Sequence, residues 1–193
     1  MSFVMRIAYV SLNWPRTTTS GVGNKIYQQI SFWRNAGNDV HLFMHTHEYE
    51  PASELLAGSI YTFPKKKGAF WKLLAEIQRI RAVRRMLHGI RSFAPDLIYL
   101  RLGMYTYPLH QLAGIAPLVS EINTNDIEQD ELLGIGSSAY NHLTRSILLT
   151  RSKGLVGVSG EVASLPAYAK YCIPTRVIAN GYDVESVSPL PAP

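Results

Sequence analysis

The sequence predicts a Rossmann-like α/β domain, a parallel sheet flanked by helices on both faces. Three observations lead there. Short β-rich apolar runs alternate with helix-period segments along almost the whole chain. Runs such as Ile7-Ala-Tyr-Val10 and Leu155-Val-Gly-Val158 are nearly continuous in apolar residues, as strands buried on both sides are. The chain has 193 residues, 47% hydrophobic and 17% charged, enough for one sizeable core.

The elements follow in order. The first strand covers 6–12. A helix is expected over 23–36, with Ile26, Ile30 and Trp33 on one face and Gly37 as its stop. Strands are expected at 39–44 and, more weakly, at 59–63, the second closed by Pro64. A long helix runs over 69–93 and ends before Pro95. Then come a strand at 96–101, a short helix at 107–113, a strand at 117–122 and a helix at 140–151. A strand at 154–159, a short helix at 161–168 and a strand at 175–179 complete the series. An Asn180-Gly181 turn and Pro189, Pro191 and Pro193 mark a boundary. The expected organisation is therefore a domain over 1–184, with 185–193 the start of a linker to a missing C-terminal domain.

Composition excludes several classes. Cys172 is the only cysteine, which rules out an internal disulfide or a cysteine-cluster metal site and fits a reducing cytosol. The N-terminal residues lack a signal-peptide layout, and no apolar run approaches the ~18 residues of a membrane span. His45 and His47 have no evident third ligand and read as exposed strand-end histidines, so no metal is expected. No nucleophile triad and no Walker A loop can be found. The first loop is a poor dinucleotide fingerprint because it is long and its third glycine is missing.

In a doubly covered parallel sheet, ligands sit beyond the carboxyl ends of the strands. After the first strand, Gly21 and Gly23 let backbone approach a ligand, and the helix N-terminus behind them favours an anion. An ordinary Gly-Ser-Thr surface loop is the equal alternative. Later strand ends carry Arg101 and Tyr105, then Glu121-Ile-Asn-Thr-Asn-Asp126, Ser159-Gly-Glu161 and Asn180-Gly-Tyr-Asp183. Hydroxyls, amides and carboxylates gathered at one edge suit a polyhydroxylated ligand. The plainer reading has Asp126 and Glu161 capping helices and Asn180-Gly181 making a turn.

The net charge of +5 is concentrated between residues 65 and 91, where nine Lys and Arg face a single acid, Glu76. Lys65, Lys66, Lys67, Lys72, Arg81, Arg84 and Arg85, with Trp71 among them, suit an anionic membrane surface. A solvated helix face is the alternative. No nucleic-acid motif accompanies the charge, so nucleic acid is not expected as a partner.

Several segments, in order, resemble a known family. They are Arg6-Ile-Ala-Tyr-Val10, Ser20-Gly-Val-Gly23, Trp33-Arg-Asn-Ala-Gly-Asn-Asp-Val40 and Pro95-Asp-Leu-Ile-Tyr99. Pro117-Leu-Val-Ser-Glu-Ile-Asn123, Gly154-Leu-Val-Gly-Val-Ser159 and Val177-Ile-Ala-Asn-Gly-Tyr-Asp183 continue the series. Together they resemble the N-terminal domain of retaining, family-4-type glycosyltransferases of the GT-B fold. The resemblance implies the acceptor-binding half of an enzyme that takes a sugar from a nucleotide-sugar donor and passes it to a glycan or lipid-linked acceptor. It implies no cofactor besides that co-substrate. Gly21 and Gly23 would approach the donor phosphates. Glu121, Asn123, Asn125 and Asp126 would lie by the transferred sugar, and Arg101, Tyr105 and Asn125 would receive the acceptor. Many relatives carry a histidine in the loop after strand five, and this chain has none there. The catalytic side chain is therefore open among Glu121, Asn123 and Asp126. The departing diphosphate can itself take the acceptor proton, which leaves charge stabilisation as the larger task.

The resulting expectation is the N-terminal half of a cytoplasmic transferase, peripheral on the inner face of the plasma membrane and inactive without its donor domain. Two alternatives stand beside it. One is a non-catalytic Rossmann-like binding module or subunit of a two-chain transferase. The other is an NAD-type enzyme, disfavoured by the long first loop.

Overall fold

The computed structural model describes residues 4–12, 21–46, 58–62, 69–123 and 135–179. In chain order the elements are β1 (Arg6–Ser11), α1 (Gly21–Asn35), β2 (Asp39–Thr46), β3 (Gly58–Thr62), α2 (Ala69–Phe93) and β4 (Leu97–Arg101). A 3-10 helix (Leu109–Gly114), β5 (Leu118–Ile122), α3 (Ile135–Leu149), β6 (Gly154–Gly157), α4 (Gly160–Ser164), α5 (Pro166–Ala169) and β7 (Thr175–Val177) follow. The seven strands form one parallel sheet in the order β3-β2-β1-β4-β5-β6-β7. The chain starts in the middle, builds to one edge, then returns past β1 and builds to the other. The switch between β1 and β4 opens a crevice at the strands' carboxyl ends.

Strand side chains alternate between faces, and each face has its own core. Ile7, Tyr9, Val40, Leu42, Met44 and Tyr99 pack against Ile26 and Ile30 of α1. Ala8, Val10, Phe43, Ile98, Leu100 and Leu118 pack on the other side, against Val83, Met86, Leu87 and Ile90 of α2, Leu109 and Leu112, and Leu148 of α3. A third cluster joins Ile122, Leu149 and Leu155 to Val162 and Tyr168 of the two short helices.

Helix α1 ends where its sequence says it should. Gly37 sits at φ +89°, a left-handed position that costs glycine little. Helix α2 stops at Ala94 (φ +49°), forced out of the helix by Pro95.

Four expectations change. The segment at 107–113 is a 3-10 helix over 109–114. The helix expected over 161–168 is two helices, because Leu165 precedes Pro166 and takes an extended conformation (φ −55°, ψ 130°). Helix α3 starts at Ile135, five residues before the apolar periodicity becomes readable, because Gly136, Ser137 and Ser138 are poor helix formers and carry no apolar pattern. Finally, β7 is exposed at all three residues, so burial on both sides describes the middle of the sheet and not this edge.

Candidate functional site

Strands β1, β4 and β5 end level with one another: Ser11 pairs with Arg101, and Arg101 with Glu121. Glu121 lies two residues beyond Val119, whose register partner is Tyr99, so it shares the face of Tyr9 and Tyr99 beneath α1. Helix α1 begins at this edge, and its second turn brings Lys25 over the strand ends. The Lys25 Nζ donates to Oε1 of Glu121 at 2.6 Å and to Oδ1 of Asn123 at 2.9 Å. The Glu121 side chain is 1% exposed and that of Lys25 17%. A carboxylate so removed from water requires a paired cation, and Lys25 supplies it.

One turn along α1, Gln29 bridges the phenols beneath it. Tyr9 donates to its Oε1 at 3.1 Å, and its Nε2 donates to the Tyr99 hydroxyl at 3.1 Å. Trp33 closes the row edge-on against Tyr99, with ring centroids 4.9 Å apart. Burial, then the Glu121 carboxylate, pushes both phenols far above their ordinary range, so they stay neutral donors.

Three buried polar atoms of this edge have no hydrogen-bond partner among the described residues: Oε2 of Glu121, Nδ2 of Asn123 and Nη1 of Arg101. Buried polar atoms are normally paired, so an unmatched acceptor beside unmatched donors is what a ligand site leaves open. An open groove of about 660 Å³ runs from here along the flank of α1. Lys25, Gln29, Tyr99 and Glu121 contribute its polar lining; Phe32, Trp33, Val156 and Ile178 are apolar.

The fold therefore brings Glu121, Asn123 and Arg101 to one edge, with Gly21 and Gly23 at the start of α1 beside them. Tyr105 is elsewhere. Its ring is in the core on the α2 side, and its hydroxyl is paired with Nδ1 of His110 at 2.7 Å. Asn125, Asp126, Asn180 and Asp183 lie outside the described residues. Ser159, not Glu161, caps α4, accepting from the Val162 amide at 3.2 Å. Lys25 was not anticipated. The sequence shows only a Lys25–Gln29 pair one turn apart beside the apolar Ile26 and Ile30, which does not say which strand residue Lys25 meets.

His45 corrects another expectation. It is not an exposed strand-end histidine but is 2% exposed, with Nε2 3.3 Å from the Arg79 carbonyl. Burial lowers its pKa to about 4, so it is neutral and donates through Nε2–H. His47 lies outside the described residues. Among the described residues no group of three or more His, Cys, Asp or Glu is placed to hold a metal.

On α2, Arg81, Arg84 and Arg85 are exposed and, with Gln78 and Thr62, line an open depression of about 490 Å³. Arg79 turns inward instead, donating from Nε to Thr106 Oγ1 at 2.8 Å and from Nη2 to the Tyr105 carbonyl at 3.1 Å. Trp71 and Lys72 belong to the first turn of α2, but their side chains, like Lys65, Lys66 and Lys67, lie outside the described residues. No helix among the described residues is long and apolar enough to cross a membrane.

No protein-family model matches the chain, and no curated protein matches it in sequence. Solved structures do match in fold. Sucrose-phosphate synthase from Thermosynechococcus elongatus aligns at TM-score 0.61 and 13% identity, covering 96% of this chain and 50% of that one. Glycyrrhiza uralensis UGT73P12, solved with glycyrrhetinic acid 3-O-monoglucuronide, aligns at TM-score 0.52 and 11% identity, covering 92% and 49%. The glycotransferase of kitacinnamycin aligns at TM-score 0.52 and 11% identity, covering 98% and 55%. The chain spans about half the length of these structures. At such identities the likeness is one of fold: this chain has the Rossmann-like α/β architecture found in one half of GT-B glycosyltransferases.

Proposed function

We propose that the chain is the N-terminal, acceptor-side half of a retaining glycosyltransferase that uses a nucleotide-sugar donor. The observation that carries this reading is the buried Lys25–Glu121–Asn123 set, with its open acceptor and donor atoms, at the carboxyl edge of a half-GT-B sheet. Such an edge offers directional hydrogen bonds to hydroxyls, and the N-terminus of α1 beside it offers backbone amides to phosphate. In this reading Gly21 and Gly23 face the donor phosphates, Glu121 and Asn123 the transferred sugar, and Arg101 the acceptor. Arg81, Arg84 and Arg85 hold the protein peripherally on an anionic inner membrane surface, where a lipid-linked or glycan acceptor is met.

The experiment is a transfer assay with radiolabelled UDP-glucose, UDP-N-acetylglucosamine and GDP-mannose and a membrane-lipid and glycan extract as acceptor. It compares the pure 193-residue chain with the polypeptide extended by its downstream reading frame. Transfer by the extended polypeptide alone is the expected result. Transfer by the 193-residue chain alone refutes the acceptor-half reading. No transfer by either refutes the glycosyltransferase reading and leaves a binding module.

A further inference from the structure

We propose that Lys25 is a positioning residue for sugar recognition: it holds one oxygen of Glu121 and the carbonyl of Asn123, and thereby presents Glu121 Oε2 and Asn123 Nδ2 to the hydroxyls of a pyranose. The inference rests on the glycosyltransferase reading above and adds to it the residue that organises the subsite and the hydrogen-bond code that subsite reads.

Lys25 Nζ has three donors, two of them used on Glu121 Oε1 and Asn123 Oδ1. Each partner thus turns one atom toward the ammonium; the Tyr99 hydroxyl also interacts with the Glu121 carboxylate, whose two oxygens keep acceptor capacity beyond these two contacts. What remains on Glu121 is an acceptor, and what remains on Asn123 is a donor; both are buried and unmatched among the described residues. A hydroxyl is the simple neutral group that both donates and accepts, so one hydroxyl, or two neighbouring ones, answers both atoms at once. A phosphate would meet the Glu121 carboxylate with like charge, and an ammonium would meet Lys25.

The surroundings agree. Glu121 and Lys25 line a groove whose apolar residues Phe32, Trp33 and Val156 offer contact to the C–H faces of a ring. Lys25 also fixes which atom of the Asn123 amide is free. Its donor bond to Oδ1 orients the amide with Nδ2 outward, and without it either orientation is open to the side chain. Lys25 therefore acts through Glu121 and Asn123.

Amide NMR of the 193-residue chain tests this, with methyl α-D-glucopyranoside, methyl α-D-mannopyranoside and methyl β-D-galactopyranoside as probes. At least one is expected to shift the resonances of Lys25, Glu121 and Asn123. Binding should weaken at least about tenfold in Lys25→Met and in Glu121→Gln, and recover at least partly in Lys25→Arg, because a ligand hydroxyl facing a mispaired buried group loses a charge-assisted hydrogen bond. The Lys25→Met/Glu121→Gln double variant removes both charges together, folds without a buried lone ion, and is expected to bind no probe. If no pyranoside moves these resonances in the wild-type chain, the open atoms serve water and the proposal falls. If Lys25→Met binds as the wild type does, Lys25 is a structural ion pair only and the proposal likewise falls. Probe binding lost in Lys25→Met, together with no transfer in the assay above, would sink the glycosyltransferase reading and leave this subsite standing.

Discussion

Lys25 and Glu121 are 96 residues apart in sequence and 2.6 Å apart in space, and the contact ties the start of α1 to the end of β5. Neither element makes sense of its polar residue alone. A lysine on the sheet-facing flank of a helix and a glutamate near the end of a buried strand each cost free energy unless the other is there.

The cost should be measurable. Lys25→Met leaves a carboxylate that is 1% exposed with no cation on Oε1, and is expected to lower stability by about 3 kcal/mol. Adding Glu121→Gln should restore most of it, to within about 1 kcal/mol of the wild type, because a neutral pair has no charge to desolvate. Urea denaturation of the four proteins of this cycle provides the check. Equal losses in the single and double variants would show that the ion pair is not what holds this edge.

Ala94 offers a gain instead of a loss. It terminates α2 at φ +49° and is exposed, and its amide closes on the Ile90 and Arg91 carbonyls at 3.2 and 3.1 Å. A left-handed backbone strains alanine and suits glycine. Ala94→Gly is expected to raise stability by about 0.5–1 kcal/mol despite the extra freedom of the unfolded chain, seen as a higher urea midpoint at unchanged slope. A lower midpoint would mean that this helix end does not need its left-handed residue.

His45 predicts an acid response. Its folded-state pKa, lowered to about 4 by burial, lies below the ordinary value of 6.5. The unfolded chain therefore takes up a proton at His45 that the native state refuses. The stability associated with neutral His45 is complete above pH 6.5 and is lost as pH falls toward 4, by about 3 kcal/mol in all. Burial also lowers the pKa of His41, which acts in the same direction. His45→Gln keeps a donor for the Arg79 carbonyl and carries no titrating group, so its stability should fall less over this range. Parallel pH profiles for the wild type and His45→Gln would refute the assignment.

Much of this was legible from the sequence. Short apolar runs placed the strands and a period-3.6 pattern the long helix, because both are set by which residues must face a core. The bounds of α2 at 69 and 93 follow from its apolar stripe and Pro95. Along α2 Ile77 is 40% exposed, and Val83, Met86, Leu87 and Ile90, toward its C-terminal end, belong to the core. Glu121, Asn123 and Arg101 could be read because strand ends of a parallel sheet converge. Lys25 could not, because its role depends on the side of α1 that meets the sheet and on a residue 96 positions away. Tyr105 was placed at the same edge as Arg101, but the turn that follows β4 carries it to the opposite face, and no local pattern in 101–107 encodes that turn.

The exposed arginines of α2 carry the last prediction. Arg81, Arg84 and Arg85 stand at i, i+3 and i+4, a spacing that puts them on one face, and each is exposed. They line the depression beside Thr62, with Gln78 as the remaining lining residue, so among the described residues no acid lines it. Near an anionic bilayer each contributes about 1 kcal/mol, and replacing all three with glutamine should weaken binding to phosphatidylserine-containing vesicles by roughly 100-fold. Binding should also fall steeply between low and physiological salt, as screening shortens the reach of the charges to about 8 Å. Co-sedimentation at two salt concentrations, with phosphatidylcholine vesicles as the neutral control, measures both effects. Wild-type binding that ignores both lipid charge and salt would assign this face to solvent, and the acceptor would then be met away from a membrane.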